Sequence, residues 1–347
     1  MVFDIADFQR RYNIPYFIDP HVHMRDEEWS NKAEMIDVYT KGAEVGIGLF
    51  FDMPNLFNPV ITRERVKDRI RRADEQNIAE FYKLYVGLTA DVDQIRKAVA
   101  LTNDDEFGHH VIGLKLFAGE STGDLAVIDE DEQLKIYQML AAEDYRGVVA
   151  VHCEKQEFID GYKFNFDNPW TSWADARPGK AEYESVKDQI RFAKESEFKG
   201  TLHILHVSYA DTIGLIREEL KDEKLNITFE LTPHHLLYST ENMRENLSWE
   251  GAMSLKCNPS IKDEENRKDL WDFLMNLPND DLYKRVCIGT DYAPHGSDKL
   301  KPPYPSGVAD YSMYGTLIDN AIADGLDESV FADLMYHNIV DIYGLNS

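Results

Sequence analysis

Residues 19–26 read D-P-H-V-H-M-R-D, directly after the apolar run 14–18. Alternate side chains of a β-strand share a face, so His21 and His23 point one way and Val22 the other. Two imidazoles converging from one strand end suit a divalent transition metal, and zinc is a common occupant of such a pair. Arg25 has the same parity and adds a permanent, planar cation that can grip a carboxylate through two parallel hydrogen bonds. An H-x-H pair also arises by accident, in a strand that happens to carry a core histidine. The remaining ligands decide between the two.

Further candidates recur at the ends of later apolar runs. In V-I-G-L-K-L-F, 111–117, alternation puts Gly113, Lys115 and Phe117 on one face and Leu114 and Leu116 on the other. An unpaired ammonium inside a barrel is costly to bury. Lys115 therefore either pairs with an acidic neighbour or is carboxylated on its side-chain nitrogen, which turns it into an anion able to bridge two cations. V-H-C-E places His152 at a strand mouth, with Cys153 on the packing side. In T-L-H-I-L-H-V-S, His203 and His206 lie three apart and a regular strand cannot aim both inward. His206, at the C-terminal end, is the better ligand candidate, and His203 is read as structural. V-C-I-G-T-D-Y-A-P-H carries Asp291 at the mouth and His295 beyond it. A carboxylate there can bind a metal and shuttle a proton. The collected metal set is His21, His23, Lys115, His152, His206 and Asp291.

Positioning such a set calls for strands that end together. Eight short β-rich runs, near 16–19, 48–53, 81–87, 112–116, 148–152, 202–206, 227–231 and 286–291, alternate with segments of helical period. The helical segments lie near 32–45, 62–76, 91–101, 131–144, 180–197, 210–221, 264–276 and 313–325. That alternation predicts an α/β fold, a parallel sheet closed into a (β/α)8 TIM barrel. Thr62 is a candidate N-cap, with Arg65 and Arg69 on the solvent side of its helix, and Gly46 and Gly147 are candidate stops. Irregular stretches at 119–125, 162–179, 233–258 and 293–306 follow strand C-termini, where barrel enzymes keep their active sites. No Pro/Gly/Ser linker or repeat divides the chain, so one domain over 1–347 is expected.

Composition excludes several function classes. A net charge of −26 repels phosphate backbones and anionic bilayers, which argues against nucleic acid and membrane partners. It also repels anionic small molecules, so such a substrate needs a local cation, and Arg25 is the candidate. No apolar run reaches membrane-spanning length, and the N-terminal segment lacks the features of a secretory signal. Cys153, Cys257 and Cys287 are odd in number and outside any C-x-x-C spacing, which fits a reducing cytoplasm rather than a disulfide framework.

From residue 18 to the final helix the chain resembles the amidohydrolase superfamily with a binuclear metal centre, and within it the dihydroorotases. The resemblance rests on H-V-H-M-R-D, F-D-M-P-N-L-F-N-P-V, G-L-K-L-F, V-H-C-E, H-V-S, E-L-T-P-H-H-L, K-C-N-P-S-I-K and G-T-D-Y-A-P-H, in the family's order. It implies two zinc ions, one on His21, His23 and Asp291 and the other on His152 and His206, bridged by carboxylated Lys115 and a hydroxide. It implies Asp291 as the catalytic acid and base. It further implies that Arg25, Asn55 and His295 bind a substrate carboxylate and that Asn258 contacts the ring; the loop carrying Ser121 and Thr122 sits where some dihydroorotases carry a loop that closes over substrate, with an ordinary βα turn as the alternative. The implied reaction is reversible cyclisation of N-carbamoyl-L-aspartate to L-dihydroorotate, in pyrimidine biosynthesis. Implied partners are the small-molecule substrate, a second copy in a homodimer, and aspartate transcarbamoylase.

There are departures. Arg25 is followed by D-E-E-W where longer members carry D-P-G or E-P-G, and Tyr292 stands where histidine or serine is frequent. The segment before the first strand is too short for an accessory β-sandwich. Two alternatives keep much of the pattern: a hydantoinase- or allantoinase-type cyclic amidase, and a catalytically silent scaffold. His109 and His110 are expected to be solvent-exposed, His234 and His235 to shape the mouth, and His337 is assigned no role.

Overall fold

The protein's architecture is seen in a computed structural model that describes residues 3–222 and 225–345. Eight strands run in order around one sheet: β1 Phe17–Val22, β2 Ile47–Asp52, β3 Tyr82–Gly87, β4 Val111–Phe117, β5 Val148–His152, β6 Thr201–Ile204, β7 Asn226–Leu231 and β8 Val286–Ile288. Each is parallel to the next, and helices connect them, as the alternation predicts. The outward faces of the strands (Leu114 and Leu116 among them) pack on the helices in one large apolar core. The barrel interior is filled at its lower end by Ile18, Leu49, Phe51, Met53, Tyr85, Ala150, Leu205 and Cys287.

The wall is irregular where β8 meets β1. A single bridge, Val22 with Tyr292, and the His23 N–H donating to Tyr292 O at 2.9 Å stand in for a ladder. Below it, Asp19 accepts from the Thr290 amide at 3.0 Å and the Thr290 hydroxyl at 2.5 Å. Burial raises the Asp19 carboxyl to about 8. The floor is closed by the last helical segment: Ile339 joins the interior cluster, and Tyr343 meets Tyr85 oxygen to oxygen at 2.6 Å.

Several expectations are corrected. Arg69 is wholly buried instead of facing solvent, because Asp52 draws its guanidinium inward at 2.6 Å; Arg65 is half-buried. Thr62 does cap its helix, Arg63–Glu75, accepting from the Arg65 amide. Gly46 takes a left-handed φ of 82°, but after the helix Glu130–Ala142 the left-handed residue is Asp144, and Gly147 is small to make room for the Tyr145 ring. The stretch 233–258 is not irregular: it holds the helices Pro233–Leu237, Thr240–Asn246 and Trp249–Ser254, and Pro169–Ala176 lies within 162–179. Ser239 and Ser248 cap two of these, but each helix is too short to display a period. Among the described residues no helix is long and apolar enough to cross a membrane. All three cysteines are free and buried.

Candidate active site

The side chains read as metal ligands meet at the C-terminal mouth of the barrel, and the local backbone explains how. At the end of β1 and one residue past it, His21 and His23 reach inward two residues apart, and their Nε2 atoms lie 3.3 and 3.0 Å from Asp291 Oδ1. Asp291 follows β8 in a left-handed conformation, φ 48°, which swings its carboxylate over the mouth. Opposite them, His152 Nδ1 and His206 Nε2 face each other at 2.9 Å. Strand β6 ends at Ile204 and His206 has φ 38°, so a turn beyond the strand aims His206 at the mouth. His203 also faces the interior, lower down, where its Nδ1 bonds Thr228 Oγ1 at 2.7 Å and its ring meets Tyr343. Strand parity alone had admitted only one of the two.

Lys115 lies in the same cavity, 1% exposed, and its Nζ has no hydrogen-bond partner. Burial lowers its ammonium to about 7. Burial likewise holds His21, His23, His152 and His206 below the usual imidazole range, so each offers a lone pair at neutral pH. Two facing half-sites of nitrogen and carboxylate donors, with an orphaned buried amine in the same cavity, fit a pair of divalent metals. Among the described residues one more trio could hold a metal: His234, His235 and Cys257. His235 is already bonded to Thr232 Oγ1 at 2.7 Å and Pro259 O at 3.1 Å, and burial pushes the Cys257 thiol up to about 12.

Residues not singled out from the sequence orient these ligands. Glu230, buried on β7, accepts from His21 Nδ1 at 2.9 Å and from the His206 amide at 3.1 Å, so one carboxylate steadies both half-sites. Donation from Nδ1 leaves the His21 Nε2 lone pair free for a metal. Glu154 stands 3.2 Å from His152 Nε2 and is gripped by Arg177. Burial alone would raise the Glu154 carboxyl, but Arg177 and His152 hold it at about 2. The signals were present: Glu230 is the one acid in an apolar strand, and Glu154 shares the parity of His152. Glu230→Gln is expected to weaken metal binding about 10- to 100-fold in competition with a chelator, with the fold retained by circular dichroism. An unchanged affinity would remove Glu230 from the support of the metals.

The residues read as substrate contacts surround the same cavity. Arg25 arrives there by a turn, since β1 ends at Val22 and Arg25 has φ 55°. Its Nε donates to Pro294 O at 3.1 Å, and its Nη1 is buried without an acceptor. Burial lowers Arg25 only to about 10, so it stays charged. His295 uses Nε2 on Ser306 O at 2.8 Å, and its Nδ1 has no partner; Asn258 Oδ1 is likewise unpaired. Asn55 differs from expectation in being engaged at both ends, with Oδ1 on His23 Nδ1 at 2.9 Å and Nδ2 donating to Thr122 O at 2.8 Å. It therefore orients a candidate ligand and ties down the loop that carries Ser121 and Thr122. His109 is exposed, whereas His110 is half-buried and bonded to Tyr82 O, contrary to expectation. His337 is exposed.

No family model matches the chain. It is similar to the allantoinase of Deinococcus radiodurans, 30% identical over an alignment of 345 positions that covers 95% of this chain and 71% of that protein. It is also similar to the dihydroorotase of Thermococcus kodakarensis, 27% identical over an alignment of 348 positions that covers 99% of this chain and 71% of that protein. Among solved structures, the L-hydantoinase of Arthrobacter aurescens superposes with a TM-score of 0.75 at 20% identity, over 95% of this chain and 71% of that chain.

Proposed function

This chain belongs to the cyclic amidohydrolases of the amidohydrolase superfamily, hydrolases acting on cyclic amides, and from that premise we propose that it is a dihydroorotase. The observation that carries the reading is the buried Arg25 Nη1 without an acceptor, in a cavity shared with the candidate metal ligands. A buried donor left unpaired costs about 1–3 kcal/mol, more when charged, so the cavity favours a ligand that brings an anion to that nitrogen. L-dihydroorotate carries a carboxylate beside its ring, and hydantoin and allantoin lack one there. His295 Nδ1 and Asn258 Oδ1 are free for further contacts with the bound ring.

The proposed chemistry is reversible hydrolysis of one ring amide. His21, His23 and Asp291, and His152 and His206, with a carboxylated Lys115, would hold two zinc ions, which would supply an activated water and an electrophile for the ring carbonyl. Asp291 takes the proton of the attacking water and delivers it to the ring nitrogen as the C–N bond breaks, which yields N-carbamoyl-L-aspartate. Run backwards, the ureido nitrogen loses its proton to Asp291, which returns it to the departing oxygen as water leaves. Arg25 holds the exocyclic carboxylate throughout and so fixes which ring carbonyl meets the water.

The similarity to an allantoinase supports a second reading, the same chemistry on a neutral ring. Arg25→Ala separates the two. For a dihydroorotase the loss of a charge-assisted pair, about 2–3 kcal/mol, should lower kcat/KM for L-dihydroorotate by roughly 30- to 150-fold. An unaltered kcat/KM, or wild-type protein that turns over only hydantoin or allantoin, would sink the dihydroorotase reading.

A further inference from the structure

We propose that Arg69, on the outer helix Arg63–Glu75, is a positioning residue that aims Arg25 and so helps select a carboxylate-bearing ring; the inference rests on the dihydroorotase reading and deepens it. Where the chain leaves β1, three consecutive non-glycine residues are left-handed: Arg25 at φ 55°, Asp26 at 77° and Glu27 at 57°. Aspartate visits that conformation readily, but arginine and glutamate hold it only where the surroundings favour it. The sequence has no glycine here to make the turn easy.

The support comes from one buried ion pair. Asp52, at the end of β2, accepts from the Met24 amide at 2.8 Å through Oδ1. Its Oδ2 takes Arg69 Nη2 at 2.6 Å and the Tyr82 hydroxyl at 2.9 Å. Arg69 Nη1 then donates to Arg25 O at 3.0 Å. The pair thus grips the peptide group before Met24 and the one after Arg25, bracketing the two residues that lead into the turn. The same helix secures the next two residues: Arg65 holds the Glu27 carboxylate at 2.6 Å, and Gln76, just past the helix, donates to Asp26 Oδ2 at 2.8 Å. With its backbone pinned and its side chain held by Pro294 O at Nε and His295 at Nη2, Arg25 lines the cavity with Nη1 buried and unpaired. Arg69 itself does not line that cavity, so any effect on substrate passes through Arg25.

Arg69→Lys keeps the charge but replaces a rigid fork with a point donor that cannot span both Asp52 and the Arg25 carbonyl in the same geometry. The expected result is a rise of about tenfold in KM for L-dihydroorotate, matched by the Ki of the carboxylate-bearing inhibitor orotate, with kcat and bound metal unchanged. If that variant does not fold, the neutral pair Asp52→Asn with Arg69→Gln removes both charges together and should raise KM in the same way. A folded variant with lower thermal stability and unaltered KM and Ki would overturn the inference and leave Arg69 a structural residue. A fall in kcat at constant KM would overturn it too. Arg25→Ala, run alongside, separates the two levels. If it leaves KM unchanged, the carboxylate reading fails and this inference with it. If it raises KM while both Arg69 variants do not, only the positioning role fails.

Discussion

Asp291→Asn is expected to lower turnover of L-dihydroorotate and of N-carbamoyl-L-aspartate alike, by about 10²–10⁴-fold, the range of a lost general acid–base. Asparagine has nearly the same shape and keeps a carbonyl oxygen where Asp291 Oδ1 faces His21 and His23 at 3.3 and 3.0 Å. It has no basic oxygen for a proton, however, and both directions of the reaction pass a proton through that group. Metal content measured on the same preparations isolates this loss from loss of a ligand. A variant that keeps both metals and retains more than about a tenth of wild-type turnover would take Asp291 out of the proton path.

Metal loading is expected to depend on carbon dioxide and on pH through Lys115. Carbamate formation consumes the neutral amine: the lysine nitrogen bonds to carbon dioxide and releases a proton. Burial lowers the Lys115 ammonium to about 7, so the neutral form predominates above that pH and is lost below it. An ordinary lysine, near pKa 10.4, would be almost fully protonated at pH 8. Metal-stripped protein given zinc and bicarbonate at pH 8 should therefore regain activity, and protein given zinc at pH 6 in carbon-dioxide-free buffer should not. At pH 6 the neutral amine falls to roughly a tenth from protonation alone. Intact-protein mass spectrometry in native buffer reads the carbamate directly. Equal recovery under the two conditions would mean that the metals are held without it.

The barrel and much of its mouth were legible because strand parity and order carry the information. His21 and Lys115 lie on strands and His23 follows β1 by one residue in the same alternation, so parity places all three on the inner face. His206 and Asp291 were legible only as belonging near strand ends, since both are aimed by left-handed backbone after the ladder has stopped. Arg69 was misread for a different reason. Its helix, R-E-R-V-K-D-R-I-R-R-A-D-E, is charged on nearly every side, so periodicity cannot tell which arginine turns inward. Only Asp52, brought close by the fold, distinguishes it. Glu230 was passed over because its partners, His21 and the His206 amide, come from other strands.

The weak seam between β8 and β1 gives the candidate metal site a second meaning. Elsewhere neighbouring strands are joined by parallel ladders of several residue pairs, but here one bridge, the His23 amide bond to Tyr292 and the Asp19–Thr290 contacts hold the wall. His21 and His23 stand on one lip of that gap and Asp291 on the other. A cation bound to all three is a clasp across the seam. A cell short of metal would then hold a barrel closed on that side by those few contacts alone, and metal scarcity would reach this protein as a loss of shape retention as well as of turnover.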